Sequence, residues 1–340
     1  MHTDPVRLLI VGLGQRGQQW LPACTSWDDV TVVAAADPDP GARSLARTYL
    51  PGPEWRLFAR LDFALSQVEA DAAIICTPLP VHPGTALACL QAGLGVLVEK
   101  PFAMTMAEAK RLIAEAEARN LPLLVGQNYR HSQPEQALRR ALEAGAIGEV
   151  GFIECVSHRY RPAAGTYQAT IEFADMDMAV HHFDNFRAQL GCNAVSVQAR
   201  LLNPAWSGYR HGGGLHAHIA MENGVEISYS GSLVSQTDSF HERLEGSRGA
   251  LLTDGKTITL HAPRDLVGKV LSDSRGARDR VPLHLDGLRR LMDDLIRSRR
   301  GEGQPETAGR DNLQTLAMAL ACLRSSRENR PIAIAEVLAE

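Results

Sequence analysis

Residues 6–37 read VRLLIVGLGQRGQQWLPACTSWDDVTVVAAAD, and the reading of this stretch decides the fold of the first part of the chain. An apolar run, Leu8 to Val11, leads straight into Gly12-Leu13-Gly14-Gln15-Arg16-Gly17, so a G-x-G-x-x-G turn follows a predicted strand. Gly12 allows the tight turn, Gly14 lets the backbone approach a pyrophosphate, and Gly17 lets the next helix sit close to the strand. The start of that helix offers free N–H groups and the positive end of its dipole to phosphate oxygens. A second apolar run, Val30 to Ala36, ends in Asp37, twenty positions past Gly17. A carboxylate there accepts hydrogen bonds from an adenosine ribose and repels a 2′-phosphate. The stretch therefore predicts a dinucleotide site that takes NAD in preference to NADP, with Arg43 on the next helix the one nearby cation that softens the preference.

Working outward, strands and helices alternate up to Gly126. Strands are expected at 7–11, 30–36, 56–58, 72–76, 96–99 and 123–125. Helices are expected at 16–24, 42–49, 62–67, 83–92 and 105–119, the last capped by Thr105. Alternation of this kind implies a doubly wound parallel sheet with ligands beyond the C-terminal strand ends. Two strand ends there carry chemistry. Cys76-Thr77-Pro78-Leu79-Pro80-Val81-His82 shapes a loop at the rim, with Thr77 and Pro78 expected on the cofactor and His82 expected to cap the next helix. Glu99-Lys100-Pro101 places a lysine at the end of a buried strand, where it can hydrogen-bond a substrate hydroxyl and favour its ionisation.

The texture changes after a helix at 133–145. Strand-like segments follow at 151–158, 194–202, 215–221, 225–232, 242–246, 250–253 and 257–261, with Asn223-Gly224 and Asp254-Gly255 as hairpin turns. Residues 265–279 read as a loop, and helices are expected at 288–299 and 312–324. The second half is therefore read as an α+β domain with an open, mainly antiparallel sheet, one face covered by helices. The expected division is a Rossmann domain at 1–126 and a substrate and oligomerisation domain at 127–340. Within the second half, 175–191 reads as a helix. Ala179, Phe183, Phe186 and Leu190 share one face, and Asp177, His181 and Asp184 share the opposite one. Asp177 and His181 are one turn apart, so the carboxylate can orient the imidazole as a general base. His182 points away from Asp177 and reads as packing. His211, His216 and His218 suggest no third ligand in sensible geometry, so no metal is expected.

Composition bounds the function. With 340 residues, two domains are expected, and 45% apolar with 22% charged residues is ordinary for a globular protein. A net charge of −4 without long like-charge blocks argues against nucleic acid or a membrane surface as partner. The six cysteines, Cys24, Cys76, Cys89, Cys155, Cys192 and Cys322, form no C-x-x-C pair, so they are read as reduced thiols of a cytoplasmic protein. The run Leu8 to Leu13 belongs to the first strand and not to a signal peptide.

Taken in order, GLGQRG, the acid after the second strand, CTPLPVH, EKP, GQNYR at Gly126 to Arg130, IGEV, D-x-x-x-H-x-x-D from Asp177 and the closing ENRPIAI resemble the Gfo/Idh/MocA family over nearly the whole chain. The resemblance implies oxidation or reduction of a carbon of a sugar or cyclitol with NAD or NADP, and an open C-terminal sheet that builds a homodimer or homotetramer. It matches Lys100, Asp177 and His181 to the family's functional residues, and implies that the Lys100–Pro101 bond is often cis. On these motifs the cofactor set is Gly12, Gly14, Gln15, Arg16, Gly17, Asp37, Thr77, Pro78, His82, Glu99, Lys100 and Asn128. The substrate set is Lys100, Tyr129, Arg130, Arg159, Tyr167, Asp177 and His181, with Arg161, Arg210, His158 and Trp206 as further candidates; the arginines suit an acidic sugar. The approach Ile171 to Met176 departs from the family's Gly-rich stretch. Two other classes within the family are glycoside cleavage through transient oxidation by retained NAD, and a cofactor-binding sensor without catalysis. The joint presence of Lys100, Asp177 and His181 favours a dehydrogenase.

Overall fold

In the computed structural model, which describes residues 4–50, 56–161, 176–275, 285 and 287–340, the chain divides into two compact units. One is residues 1–127 with 288–313, the other residues 128–287 with 314–340.

The first unit is built on six parallel strands: β1 (Val6–Val11), β2 (Val30–Ala36), β3 (Leu57–Phe58), β4 (Ala72–Ile75), β5 (Gly95–Val98) and β6 (Leu123–Val125), in the order β3-β2-β1-β4-β5-β6. β4 and β5 are buried at every residue. Strands covered on both faces have no polar side to show, and so read as continuous apolar runs. Chain order reverses between β1 and β4, and the crevice beyond their C-terminal ends is where such a sheet binds its ligand. The covering helices are α1 (Gly17–Thr25), α2 (Pro40–Ala46), α3 (Leu61–Gln67), α4 (His82–Gln91) and α5 (Met106–Ala118). α5 begins with a capping box in which Thr105 Oγ1 accepts from Glu108 N and Glu108 reaches back to Thr105 N. α2 starts at Pro40, two residues earlier than expected. Proline at the first helical position has no N–H to lose, and the Asp39 side chain accepts from Gly41 N.

A single boundary near residue 126 does not describe the division, because residues 288–313 return to the first unit. Arg289, on the helix Leu288–Arg299, forks onto Asp29 at 2.8 and 2.6 Å and lies over the Trp27 ring. Val125 N donates to Thr307 O at 2.9 Å, and Leu124 pairs with Ala308 in an antiparallel bridge at the edge of the sheet.

The second unit carries α6 (Gln133–Glu143), α7 (Met176–Leu190) and a nine-stranded sheet: β7 (Val150–Tyr160), β8 (Ala194–Leu202), β9 (Gly214–Met221), β10 (Glu226–Ser232), β11 (Val234–Gly246), β12 (Gly249–Thr253), β13 (Thr257–His261), β14 (Lys269–Asp273) and β15 (Ile332–Ala333). The order is β14-β13-β12-β11-β7-β10-β9-β8-β15, and β7 with β10 is its parallel pair, so the sheet is mixed and mainly antiparallel. Both hairpin turns occur where expected: Gly224 and Gly255 have φ of +82° and +76°, a region glycine enters without strain. β14 lies inside the segment read as a loop, and β11 starts eight residues before its expected first residue. Both stretches are polar and mostly solvent-facing, so neither shows the apolar alternation that marks a half-buried strand.

Candidate active site

On the nucleotide side, the glycines are placed by contact. Gly12 has φ +92°, and a Cβ there would lie 2.6 Å from the backbone of Cys76 and Thr77. A Cβ on Gly17 would lie 2.0 Å from Gly12 O. Gly14 differs: a Cβ on it would meet nothing within 4 Å, and Gly14 and Gln15 are exposed. No side chain caps α1. An open backbone approach beside an uncapped helix start fits a pyrophosphate, whose oxygens satisfy the free N–H groups. Asp37 closes the turn from below, its Oδ2 accepting from Leu13 N at 2.6 Å and its Oδ1 from Asp39 N at 2.8 Å. Arg43 Nη1 donates to the carbonyls of Asp37 and Pro38 at 2.6 and 2.9 Å, so that guanidinium braces the end of β2.

Glu99 and Arg16, both expected on the cofactor, are bound to each other. Glu99 Oε1 accepts from Arg16 Nε (2.9 Å), Arg16 Nη2 (2.6 Å) and Trp20 Nε1 (2.8 Å). Burial pushes the Glu99 carboxyl up, but the Arg16 charge and hydrogen bonds, Trp20 and the Lys100 charge outweigh it and hold it below the ordinary value. Two buried oxygens here have no partner among the described residues: Glu99 Oε2 and Thr77 Oγ1. They lie after β5 and β4, on the ligand side of the sheet, and suit the polar groups of a dinucleotide. Trp20 was not identified from the sequence; its spacing of four from Arg16 on α1 was the available signal.

His82 does not cap α4. Its buried ring lies between two carbonyls, Nδ1 2.9 Å from Pro101 O and Nε2 2.6 Å from Thr77 O, and so ties the loop after β4 to the loop carrying Lys100. Burial pushes its imidazole below the ordinary value against the pull of those carbonyls. The Lys100–Pro101 bond is cis.

In the second unit, α7 differs from the two-faced helix expected. All but Asp177, Ala188 and Leu190 of its fifteen residues are buried, because the face carrying His181 and Asp184 is covered as well as the apolar one. Residues 128–131 form a 3₁₀ turn against it. The Tyr129 ring stacks on that of His181, with centroids 3.9 Å apart and planes 4° from parallel. Arg130, expected at the substrate, is instead buried in a forked ion pair with Asp184 (both bonds 2.6 Å). Thr315, absent from the expected set and without a motif to announce it, donates to Asp184 Oδ1 at 3.2 Å and accepts from Arg187 Nη1 at 3.0 Å. His182 is packing, as expected: its Nδ1 is 2.9 Å from the Tyr229 hydroxyl and its ring stacks on Phe240.

Asp177 remains partly open and lies 3.4 Å from Arg161 Nη1. Arg159 faces Asp238 at 3.6 Å. Asn128 is buried at the start of the 3₁₀ turn. His158 Nε2 is 3.1 Å from Ser230 Oγ, while Trp206 and Arg210 are exposed on a loop. Tyr167 and the segment 171–175 lie outside the described residues. No group of three or more His, Cys, Asp or Glu among the described residues could hold a metal ion. No helix among them is long and apolar enough to cross a membrane.

Two family models match the chain. One, for an oxidoreductase family with an NAD-binding Rossmann fold, covers residues 6–127; the other, a GFO/IDH/MocA C-terminal domain, covers residues 136–252. A D-apiose dehydrogenase of Paraburkholderia graminis is 30% identical over 97% of this chain and 90% of its own length. An inositol 2-dehydrogenase of Rhizobium meliloti is 26% identical over 97% of this chain and 99% of its own. Among solved structures, an oxidoreductase from Agrobacterium radiobacter in complex with NAD+, L-tartaric acid and magnesium superposes with a TM-score of 0.87 at 21% identity, covering 98% of this chain and 99% of that one.

Proposed function

Because the chain belongs to the Gfo/Idh/MocA family of oxidoreductases and its first unit is an NAD-binding domain, we propose that it is an NAD-dependent dehydrogenase acting on a carbinol carbon of a sugar, cyclitol or sugar acid. Bound NAD supplies the redox chemistry, taking up or giving back the hydride at its nicotinamide ring. The chain's own residues position the nucleotide and handle the proton. Gly12, Gly14 and Gly17 admit the pyrophosphate, and Asp37 takes the ribose hydroxyls. His181 accepts the proton of the reacting hydroxyl, Lys100 donates a hydrogen bond to the same oxygen, and Asp177 orients the site.

The observation that carries this reading is His181: a buried imidazole, its plane matched to an aromatic ring, one helical turn from a partly open carboxylate. His182 is equally buried and stacked, and what sets His181 apart is the carboxylate of Asp177 one turn away, which suits a group that exchanges a proton. The uncovered face of the nine-stranded sheet, where Phe152 is 45% and Tyr160 57% exposed, supports association of two copies through it, which sedimentation velocity tests.

The experiment is a panel of sugars, inositols and sugar acids with NAD+ and NADP+, followed by the absorbance of the reduced nicotinamide. Net reduction of NAD+ by a member of the panel supports the proposal. Glycoside cleavage by retained NAD without net reduction would overturn it.

A further inference from the structure

Tyr129 and Arg130 are neighbours in the 3₁₀ turn, and each meets a different residue of α7. The Tyr129 ring lies on His181, and the Arg130 guanidinium forks onto Asp184. His181 and Asp184 are three apart on the helix, so they stand on one face, one above the other. Two adjacent turn residues thus grip successive positions of the same helical face. Asp184 is held from a third direction by the Thr315 hydroxyl. Behind the stack, Tyr129 rests against a buried cluster of Met178, Tyr209 and Leu233.

The ion pair alone would hold the turn to the helix, so the stack has a separate consequence. At a centroid distance of 3.9 Å the imidazole cannot rotate about its Cβ–Cγ bond without sweeping through the phenol. Tyr129 therefore fixes the plane in which both ring nitrogens of His181 lie. The geometry also bears on charge. Two neutral aromatic rings avoid a parallel sandwich in favour of offset or edge-on contacts. A cationic ring over the negative face of a phenol is attracted to it. With centroids 3.9 Å apart and planes within 4° of parallel, the face of the phenol lies against the imidazole, where it would attract the ring once protonated.

We propose that Tyr129 is the positioning residue of the catalytic base: it sets the plane of the His181 ring and stabilises the imidazolium formed when the substrate O–H bond breaks and its proton moves to a ring nitrogen. The proposal rests on the reading of His181 as that base. Arg130 acts through Asp184 to keep the turn, and with it the phenol, in register with α7.

The test uses the full chain loaded with NADH and carrying histidine labelled with carbon-13 at Cε1. The His181 resonance is identified by its loss in H181N and followed through a pH titration. Y129F keeps the aromatic face and is expected to titrate with the wild type. Y129L removes it, and the midpoint is expected to move to lower pH by about half a unit, because the imidazolium loses its aromatic partner. If Y129L does not fold, Y129M serves in its place. A Y129L or Y129M midpoint equal to that of the wild type overturns the proposal. The parent reading is judged separately: wild-type turnover by H181N would remove His181 as base, whatever the titration of the Tyr129 variants shows.

Discussion

Replacing Glu99 by glutamine is a sharp perturbation of the nucleotide unit, because one carboxylate oxygen holds three donors, two from Arg16 and one from Trp20. The amide keeps nearly the same shape and one acceptor oxygen, so no cavity forms. What is lost is the negative charge opposite Arg16, and with it the charge-assisted character of the Trp20 bond. Breaking a fully buried ion pair from one side costs about 3–5 kcal/mol. Glu99 is buried, but the Arg16 side chain keeps 24% of its exposure, and water tempers the cost on that side. We expect a loss of about 2–3 kcal/mol. For a unit of this size that corresponds to a fall in Tm of about 4–10 °C.

The pH dependence of this loss is determined by the direction in which the carboxyl is shifted. The Glu99 carboxyl is held below its ordinary value of 4.5 in the folded protein. Its contribution is therefore complete above the unfolded value and is lost as pH falls through the lowered folded value. The gap between wild type and E99Q should be widest at neutral pH and close as the pH falls through the lowered folded value. Calorimetry or urea unfolding across that range measures it. A neutral-pH difference under about 1 °C, or a gap that stays constant into acid, would refute the clamp.

Further outcomes follow from the same geometry. G14A should fold with wild-type Tm, since its methyl group meets nothing within 4 Å, yet bind NADH at least about tenfold more weakly in a calorimetric titration. Wild-type protein should bind NADH more tightly than NADPH, and D37S should narrow the difference, as equilibrium fluorescence titrations can show. D184N should cost about 3–5 kcal/mol in urea unfolding because both partners of its ion pair are buried, whereas R310Q, which breaks the exposed pair with Glu117, should stay within about 1 kcal/mol. Of the six free cysteines only Cys192 is not buried, so a thiol reagent should modify the native protein at that position alone and reach the others after unfolding. Burial pushes Cys89 up to about 12 and Cys76 and Cys155 well above the ordinary thiol value, which keeps them unreactive.

The nucleotide half was legible in the sequence because each of its parts has a local physical signature. Gly12 and Gly17 can hold no side chain, and Thr105 with Glu108 spells its own cap. The strand β4, covered on both sides, is simply apolar. Legibility fell where structure is decided by distant partners. Nothing local announces that residues 288–313 return to the first unit, since that depends on Arg289 finding Asp29 and Thr307 finding Val125. The edge strand β14 is exposed and carries no burial pattern to read. At the site, Arg130 reads from the sequence as substrate-facing because arginines suit anions. Its actual partner, Asp184, is 54 residues away and already counted among the acids of α7. Residue type and helical spacing single out His181 as a candidate; only coordinates could show the phenol lying on it.

The central claim, that Lys100 and His181 act on one hydroxyl beside the nicotinamide, is tested most directly by pairing turnover with cofactor affinity in K100M and H181N. The account predicts that each variant loses at least about a hundredfold in kcat on the alcohol that reduces NAD+. It also predicts that the dissociation constant for NADH stays within about threefold of wild type in H181N, since His181 is assigned to the reacting oxygen and not to the cofactor set. Wild-type turnover in either variant would contradict it.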